Sequence, residues 1–258
     1  MTLTPLVFMS TDVPKDVYEA VKPYESKFGL RFSRFYVFSK SLFTEIHSPC
    51  AQAGEKSRLV VASDYDRKLL EIFSVLTEIA NSITITPEMQ KIYFDALVAI
   101  YHRLPRKPNN GPGVLTISPE REGKVLAQRM GWFAGSALDP NLKRIPYKSG
   151  LVVGINGLDI QQSFEECCII DGAIASGATL ITIMHSLKDF VRSFHIYSVH
   201  AAVQGLNALF HTANYLNVDL SITVGHTTDG LNYKYYATVK EQSNLVQVGD
   251  LGDIIAPL

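Results

Sequence analysis

Apolar positions follow a helical rhythm from Tyr65 to Leu104, and beyond that they gather into short runs separated by further helical stretches. ITPEMQKIYFDALVAIYHRL places Ile92, Ala96 and Ile100 in one row and Tyr93, Leu97 and Tyr101 beside it, behind Thr86 as N-cap and Pro87 in the first turn. Two helices joined at NSITIT are expected, and KPNNGPG (Lys107 to Gly113) then breaks all regularity. Downstream, GVLTIS, LVVGI, CCIID, FHIYSVHAA and DLSITVG read as buried strands, with ATLITIMHSLKDFVRS and VQGLNALFHTANYL as helical crossovers between the last three. This alternation predicts an α/β fold, a doubly wound, mostly parallel sheet flanked by helices, which binds ligands at the carboxyl ends of its strands. Residues 1–65 mix an aromatic cluster, RFSRFYVFSKSLF, with polar turns. They read as strands and loops, an N-terminal extension packing on a body formed by residues 66–258.

Composition removes several classes of function. Lys plus Arg number 24 against 25 for Asp plus Glu, so no basic face marks nucleic acid or an anionic membrane as the main partner. Any anion must be held by local clusters. Cys50, Cys167 and Cys168 suit small buried residues better than a disulfide framework or metal site. His185, His195, His200, His211 and His226 lack metal-ligand spacing and read as core or surface residues, and HSPC (His47 to Cys50) is a poor nucleophile–base pair. The Phe and Tyr cluster from Phe32 to Phe43 reads as core or oligomer contact. No apolar stretch approaches the roughly 20 residues that span a bilayer, and the first residues lack a charged n-region, so a cytoplasmic location is expected.

The candidate chemistry lies in CCIIDGAIASGATL, Cys167 to Leu180. With CCII as a buried strand, Asp171 is expected as the first residue out of the sheet, and Ala175, Ser176, Gly177, Ala178 and Thr179 form the turn into a helix. A helix N-terminus offers unpaired N–H groups and about half a positive charge, so small residues there let a phosphate approach while Ser176 and Thr179 add hydroxyls. Asp171 suits sugar hydroxyls. Together they describe a site for a 5-phosphoribosyl group. The stretch is neither a P-loop nor GxGxxG, and an ordinary strand-to-helix turn with a capping Asp171 is the alternative.

In the order of its motifs the chain resembles the type I phosphoribosyltransferases, and the uracil phosphoribosyltransferases most closely, over about residues 70–258. DGAIASGAT (Asp171 to Thr179) is similar to the family's DPMLATGGS, AAVQGLNAL (Ala201 to Leu209) to AAPEGLEAL, DGLNYKYY (Asp229 to Tyr236) to the LNEKGYI region, VGDLGD (Val248 to Asp253) to LGDAGD, and SPEREG (Ser118 to Gly123) to the pyrophosphate loop ILRAG. The resemblance implies an enzyme that uses Mg²⁺ to transfer 5-phosphoribosyl from phosphoribosyl pyrophosphate to a uracil-like base, and it implies a homodimer. It places the 5-phosphate on Ala175 to Thr179, the ribose hydroxyls on Asp171, the pyrophosphate on Arg121, supplemented by Lys143 and Arg144 in a hood after Trp132, and Mg²⁺ beside Asp250. Val246 and Gly249 fall where the family reads its base through YIVPG. Here the chain departs from the pattern: Ser243, Asn244, Leu245, Val246 and Gln247 replace that motif, Gly172 stands in the second loop position, and Glu120 and Glu122 flank Arg121. These departures leave room for a non-uracil acceptor, or for a relative that senses a nucleotide without turnover.

Overall fold

The computed structural model describes residues 4–39, 56–109, 111–119, 122–132, 137–138, 140–148, 150–158, 160–232, 236–241 and 244–248. The elements are β1 (Leu6–Met9), α1 (Lys15–Phe28), β2 (Arg34–Phe38), β3 (Ser57–Val61), α2 (Lys68–Ala80), α3 (Pro87–Arg103), β4 (Val114–Ile117), α4 (Glu122–Met130), β5 (Ala137–Leu138), β6 (Asn141–Tyr147), β7 (Gly150–Asn156), β8 (Phe164–Ile174), α5 (Ala178–Leu187), β9 (Val191–Ala202), α6 (Val203–Leu216), β10 (Asp219–Thr228), β11 (Gly230–Leu231), β12 (Ala237–Glu241) and β13 (Asn244–Gln247). A parallel sheet in the order β3-β10-β9-β8-β4-β5 stands at the centre. The mostly parallel, helix-flanked class read from the sequence is the one observed.

Alternate residues of each central strand feed two cores. Cys167, Ile169, Phe194, Ile196, Ile222 and Val224 pack with α5 and α6, while Cys168, Ile170, Tyr197 and Val199 pack with α2, α3 and α4. Both thiols are buried and unbonded to each other, and burial pushes both thiol pKa values up, as structural cysteines require. α2 and α3 are the two expected helices. The Thr86 hydroxyl accepts from the Met89 N–H at 3.2 Å, and Tyr93, Leu97, Ile100 and Tyr101 are buried while Ile92 is exposed.

Three readings are corrected. LVVGI is a strand, β7, but it belongs to a separate antiparallel sheet, β1-β2-β7-β6. The segment NLKRIPYKSGLVVGIN folds back on itself, with Lys148 at φ 50°, and so forms a hairpin rather than a crossover. Second, the N-terminal residues include α1, whose interior Pro23 and sparse buried pair, Val17 and Val21, weaken the helical signal. Third, Asp171 is not the first residue out of the sheet: β8 continues to Ile174, with Asp171 opposite Ser198 and Ile174 opposite Ala201. The antiparallel sheet lays Tyr36, Phe38, Val153 and Ile155 against the α5 side of the core, with Tyr36 Oη 2.8 Å from Ser186 Oγ, and its other face carries α1 on Phe35, Ile145 and Val152. The molecule is thus five layers deep: helix, sheet, helices, sheet, helices.

The three central strands share one irregularity. The ladder runs from Asp171/Ser198 to Ala173/His200 and from Val224/Ser198 to His226/His200, omitting the rungs Gly172/Val199 and Val199/Gly225. Beyond it the side chains exchange faces. Ile169 and Ile174 lie in the same core although five positions apart, as do Ile196 and Ala201, and His226 turns to Phe73 of the opposite core. Side chains replace the lost ladder bonds: the Tyr101 hydroxyl lies 2.5 Å from Asp171 O and 3.1 Å from Tyr197 O, and the Ser198 hydroxyl lies 3.0 Å from Gly172 O. A Cβ on Gly225 would stand 2.4 Å from Ile100 Cγ2 and 2.5 Å from Val199 O. Gly225→Ala therefore lowers unfolding stability by about 1–3 kcal/mol, and Tyr101→Phe by about 1–2 kcal/mol through the orphaned carbonyls. Urea unfolding checks both, and wild-type midpoints would refute this account of the kink.

Candidate functional site

The β8–α5 connection lies at the carboxyl end of the parallel sheet, past the kink. Asp171 is half-buried, with Oδ1 accepting the Gly172 N–H at 2.9 Å. Ala175, Ser176, Gly177 and Ala178 are buried and Thr179 half-buried. Gly177, at φ 76°, takes the N-cap position of α5, and the Ser176 hydroxyl accepts the Ala178 N–H at 3.4 Å. Backbone meets backbone across to α6. A Cβ on Gly205 would lie 2.2 Å from Ala175 O, and one on Gly177 3.1 Å from Gly205 O. Ala175 is buried in one small cluster with Ala202 and Ala237, with Leu231 packed against it. The five loop residues and Asp171 are thus gathered at one place, with Ala237 of β12 in the same small cluster as Ala175.

The other expected site residues divide. Arg121 lies outside the described residues; of its neighbours in sequence, a Cβ on Gly123 would stand 2.3 Å from Ile170 O, and Lys124 N–H bonds Pro119 O at 3.1 Å. The start of α4 therefore sits on β8 one residue before Asp171. Lys143 is not brought to the loop. It lies on β6, with its ammonium 4.7 Å from the Phe28 ring of α1, on the sheet face turned away from α5. Arg144 is exposed on the same edge strand. Val246 lies in β13, whose backbone pairs with β12, Val246 opposite Val239. Gly249 and Asp250 lie outside the described residues, as do Cys50 and Asp253. Among the described residues no three His, Cys, Asp or Glu gather as a metal cage, and no helix is long and apolar enough to cross a membrane.

The sequence reading missed the polar groups that organise this end of the sheet. Tyr101 reads as one more member of a core row, and Ser198 and His200 read as interior positions of an apolar strand. A hydroxyl and an imidazole within SVHAA are the signal that was there to find.

No family model matches the chain, and no curated protein does. Solved structures do. The AQ2163 protein of Aquifex aeolicus aligns over 78% of this chain and 98% of its own at 17% identity and a TM-score of 0.51. Adenine phosphoribosyltransferase from Thermoanaerobacter pseudethanolicus covers 60% of this chain and 99% of its own at 13% identity and TM-score 0.38. Orotate phosphoribosyltransferase from Mycobacterium tuberculosis, solved with phosphoribosyl pyrophosphate, covers 65% and 95% at 12% identity and TM-score 0.38. What AQ2163 shares with the chain at this level is the fold.

His185, His195 and His200 are held uncharged by burial. His195 Nε2 lies 3.1 Å from Thr223 Oγ1 and Nδ1 3.1 Å from Tyr197 Oη, the two rings stacking at 4.2 Å. Burial lowers the pKa of His195 and His185 to about 4 and that of His200 to about 3, from 6.5. Folded-state values below the unfolded one mean that unfolding takes up protons. Stability is therefore whole above about pH 6.5 and declines as pH falls toward 4, by up to about 1.4 kcal/mol per pH unit for each such histidine. Urea midpoints falling between pH 7 and pH 5, with a shallower fall for His195→Gln, are the expected result.

Proposed function

We propose that the chain is a phosphoribosyltransferase: the bond from C1 of phosphoribosyl pyrophosphate to its leaving oxygen breaks, a ring nitrogen of a heterocyclic base bonds to C1 and gives up its proton, and pyrophosphate departs. The observation that carries the reading is the juxtaposition of Asp171 with the small-residue N-terminus of α5 at the carboxyl end of a central parallel strand. A helix end of this kind suits a phosphate, and an adjacent carboxylate suits ribose hydroxyls rather than the phosphate itself. Arg121, carried by the segment seated beside Ile170, is assigned to the pyrophosphate, where a guanidinium grips the leaving oxyanion bidentately. Mg²⁺ keeps most of its waters and takes one or two carboxylates. Asp171, half-buried and steadied by the Gly172 N–H, fits that sparse demand, and Asp250 is the second carboxylate we assign to the ion, which would screen the pyrophosphate's charge.

The resemblance favours a uracil-like acceptor, whereas the loop that would read it has become a β-hairpin, β12–β13. A different heterocycle is as compatible with this edge. We further propose a cytoplasmic homodimer, in line with the resemblance.

Calorimetric titration of phosphoribosyl pyrophosphate with Mg²⁺ tests the site. Binding is expected, weakened about tenfold or more in Asp171→Asn, the scale set by losing hydrogen bonds to a charged acceptor. Failure of the unmodified chain to bind would sink the proposal. Where binding is found, pyrophosphate release across uracil, cytosine, adenine and orotate separates an enzyme from a sensor.

A further inference from the structure

The antiparallel sheet has two edges, and they differ in kind. β6, at one end, carries Lys143, Arg144 and Pro146, the cations and the missing N–H by which edge strands turn further strands away. β3, at an edge of the parallel sheet, carries Arg58 and follows Lys56. β1, at the other end of the antiparallel sheet, reads LVFM, with neither charge nor proline. Of the nine large apolar side chains exposed among the described residues, three stand together on this one strand: Leu6 at 64%, Val7 at 47% and Met9 at 47%. An uncharged apolar edge is an open template for another strand.

The main chain shows which strand fits. The Ser10 N–H bonds Ser33 O at 3.1 Å, in step with a register that sets Leu6 opposite Val37 and Phe8 opposite Phe35. Backbone groups alternate sides along an antiparallel strand, so Leu6 and Phe8 turn theirs to β2 while Val7 and Met9 turn theirs outward. Met9 O already accepts the Asp12 N–H at 3.0 Å, and Pro5, the preceding member of the outward set, has no N–H. A second β1 laid antiparallel about a twofold axis at Val7 matches this pattern. Each Val7 N–H then meets the partner's Val7 C=O, and the filled carbonyl of Met9 falls opposite the position that lacks a donor. An axis at Phe8 would instead aim each Val7 N–H at that filled carbonyl.

We propose that β1 is a subunit interface, at which it pairs antiparallel with β1 of a second copy of this chain and joins the two antiparallel sheets into one. Because β6 blocks the far edge of each sheet, the assembly closes at two copies. The surface beside the new ladder is uncharged on both faces. Phe8 packs on the core under α1, and in the proposed register the partner's Leu6 lies across from it. On the opposite face Val7 pairs with Tyr36, whose ring is 6.3 Å from that of His185, itself 6.2 Å from the exposed Tyr215. A four-residue ladder buries less than the about 800 Å² per partner of a standard interface, so association is expected in the micromolar range. The homodimer proposed above rests on the family resemblance; the edge named here rests on the strand itself.

Sedimentation equilibrium of the full chain across about 1–100 µM, beside Val7→Pro, Val7→Lys and Val7→Glu, tests this. A monomer–dimer equilibrium is expected for the unmodified chain, with exchange of the Val7 amide slowing as dimer forms. Val7→Pro removes an outward N–H and spares the bonds to β2, and each charged variant alone sets like charges opposite one another. All three are expected to raise the dissociation constant about tenfold or more, with urea midpoints near that of the unmodified chain. Mixing the two charged variants is expected to restore association, which neither misfolding nor an unrelated interface would produce. Dimers undisturbed by the variants, or a mixture that associates no better than its parts, overturn this edge and leave the homodimer to another face. A chain monomeric throughout overturns both. A Val7 amide already protected in the monomer overturns the proposal too, since the edge is then covered by the chain itself. None of these outcomes bears on the phosphoribosyl pyrophosphate site, which its own titration tests.

Discussion

A parallel sheet buried on both faces cannot change which side its residues face without giving up a rung of hydrogen bonds, and this one gives up two at the same level. The break is possible because Gly225 carries no side chain where its strand approaches Ile100 and Val199, and because Tyr101 and Ser198 bring hydroxyls to the stranded carbonyls. Everything beyond depends on it. Below the kink, β8, β9 and β10 obey the alternation that makes the two cores. Above it, His200 and His226 turn to Phe73 while Ile174 and Ala201 turn inward. The last residues of each strand are therefore set by hydroxyl contacts that reach in from α3 and from β9 itself.

Much of the fold was legible in the sequence because it is written in local terms. The cap at Thr86, the helical rows of α3 and α6 and the apolar runs of β4, β8, β9 and β10 lie where spacing and burial put them. What escaped was set by distant partners. LVVGI has the composition of a central parallel strand, but a tight turn at Lys148 pairs it with its predecessor, and β2 then completes an antiparallel sheet across the chain. Asp171 reads as a strand end because aspartate favours turns, yet Ser198 across the ladder holds it within β8. Asp171 and the loop to Thr179 were singled out from residue type and order alone. The unpaired buried atoms of His200, Gln204, Thr228 and Thr238 were not, since they come from four separate elements and no spacing connects them.

The glycines that matter serve contact as much as conformation. Gly177 and Gly205 let the β8–α5 turn meet the first turn of α6 with no side chain between, and Gly123 does the same for α4 against Ile170. Three helix starts are thereby docked onto the carboxyl end of one sheet by main chain. Positions fixed in this way do not adjust by rotamer changes, so the relative placement of Asp171, the loop and α4 is rigid.

α5 lies between two sheets, and eight of its ten residues are buried. It has no solvent face, which is why ATLITIMHSL carries no formal charge apart from what His185 could acquire. An exposed helix has its axial field damped by water and dissolved ions along its whole length. This one is wrapped in hydrocarbon, so the partial positive charge at Gly177 and Ala178 is weakly screened and nearly indifferent to ionic strength. The antiparallel sheet, remote from any residue that would touch a ligand, thereby acts on the loop as insulation.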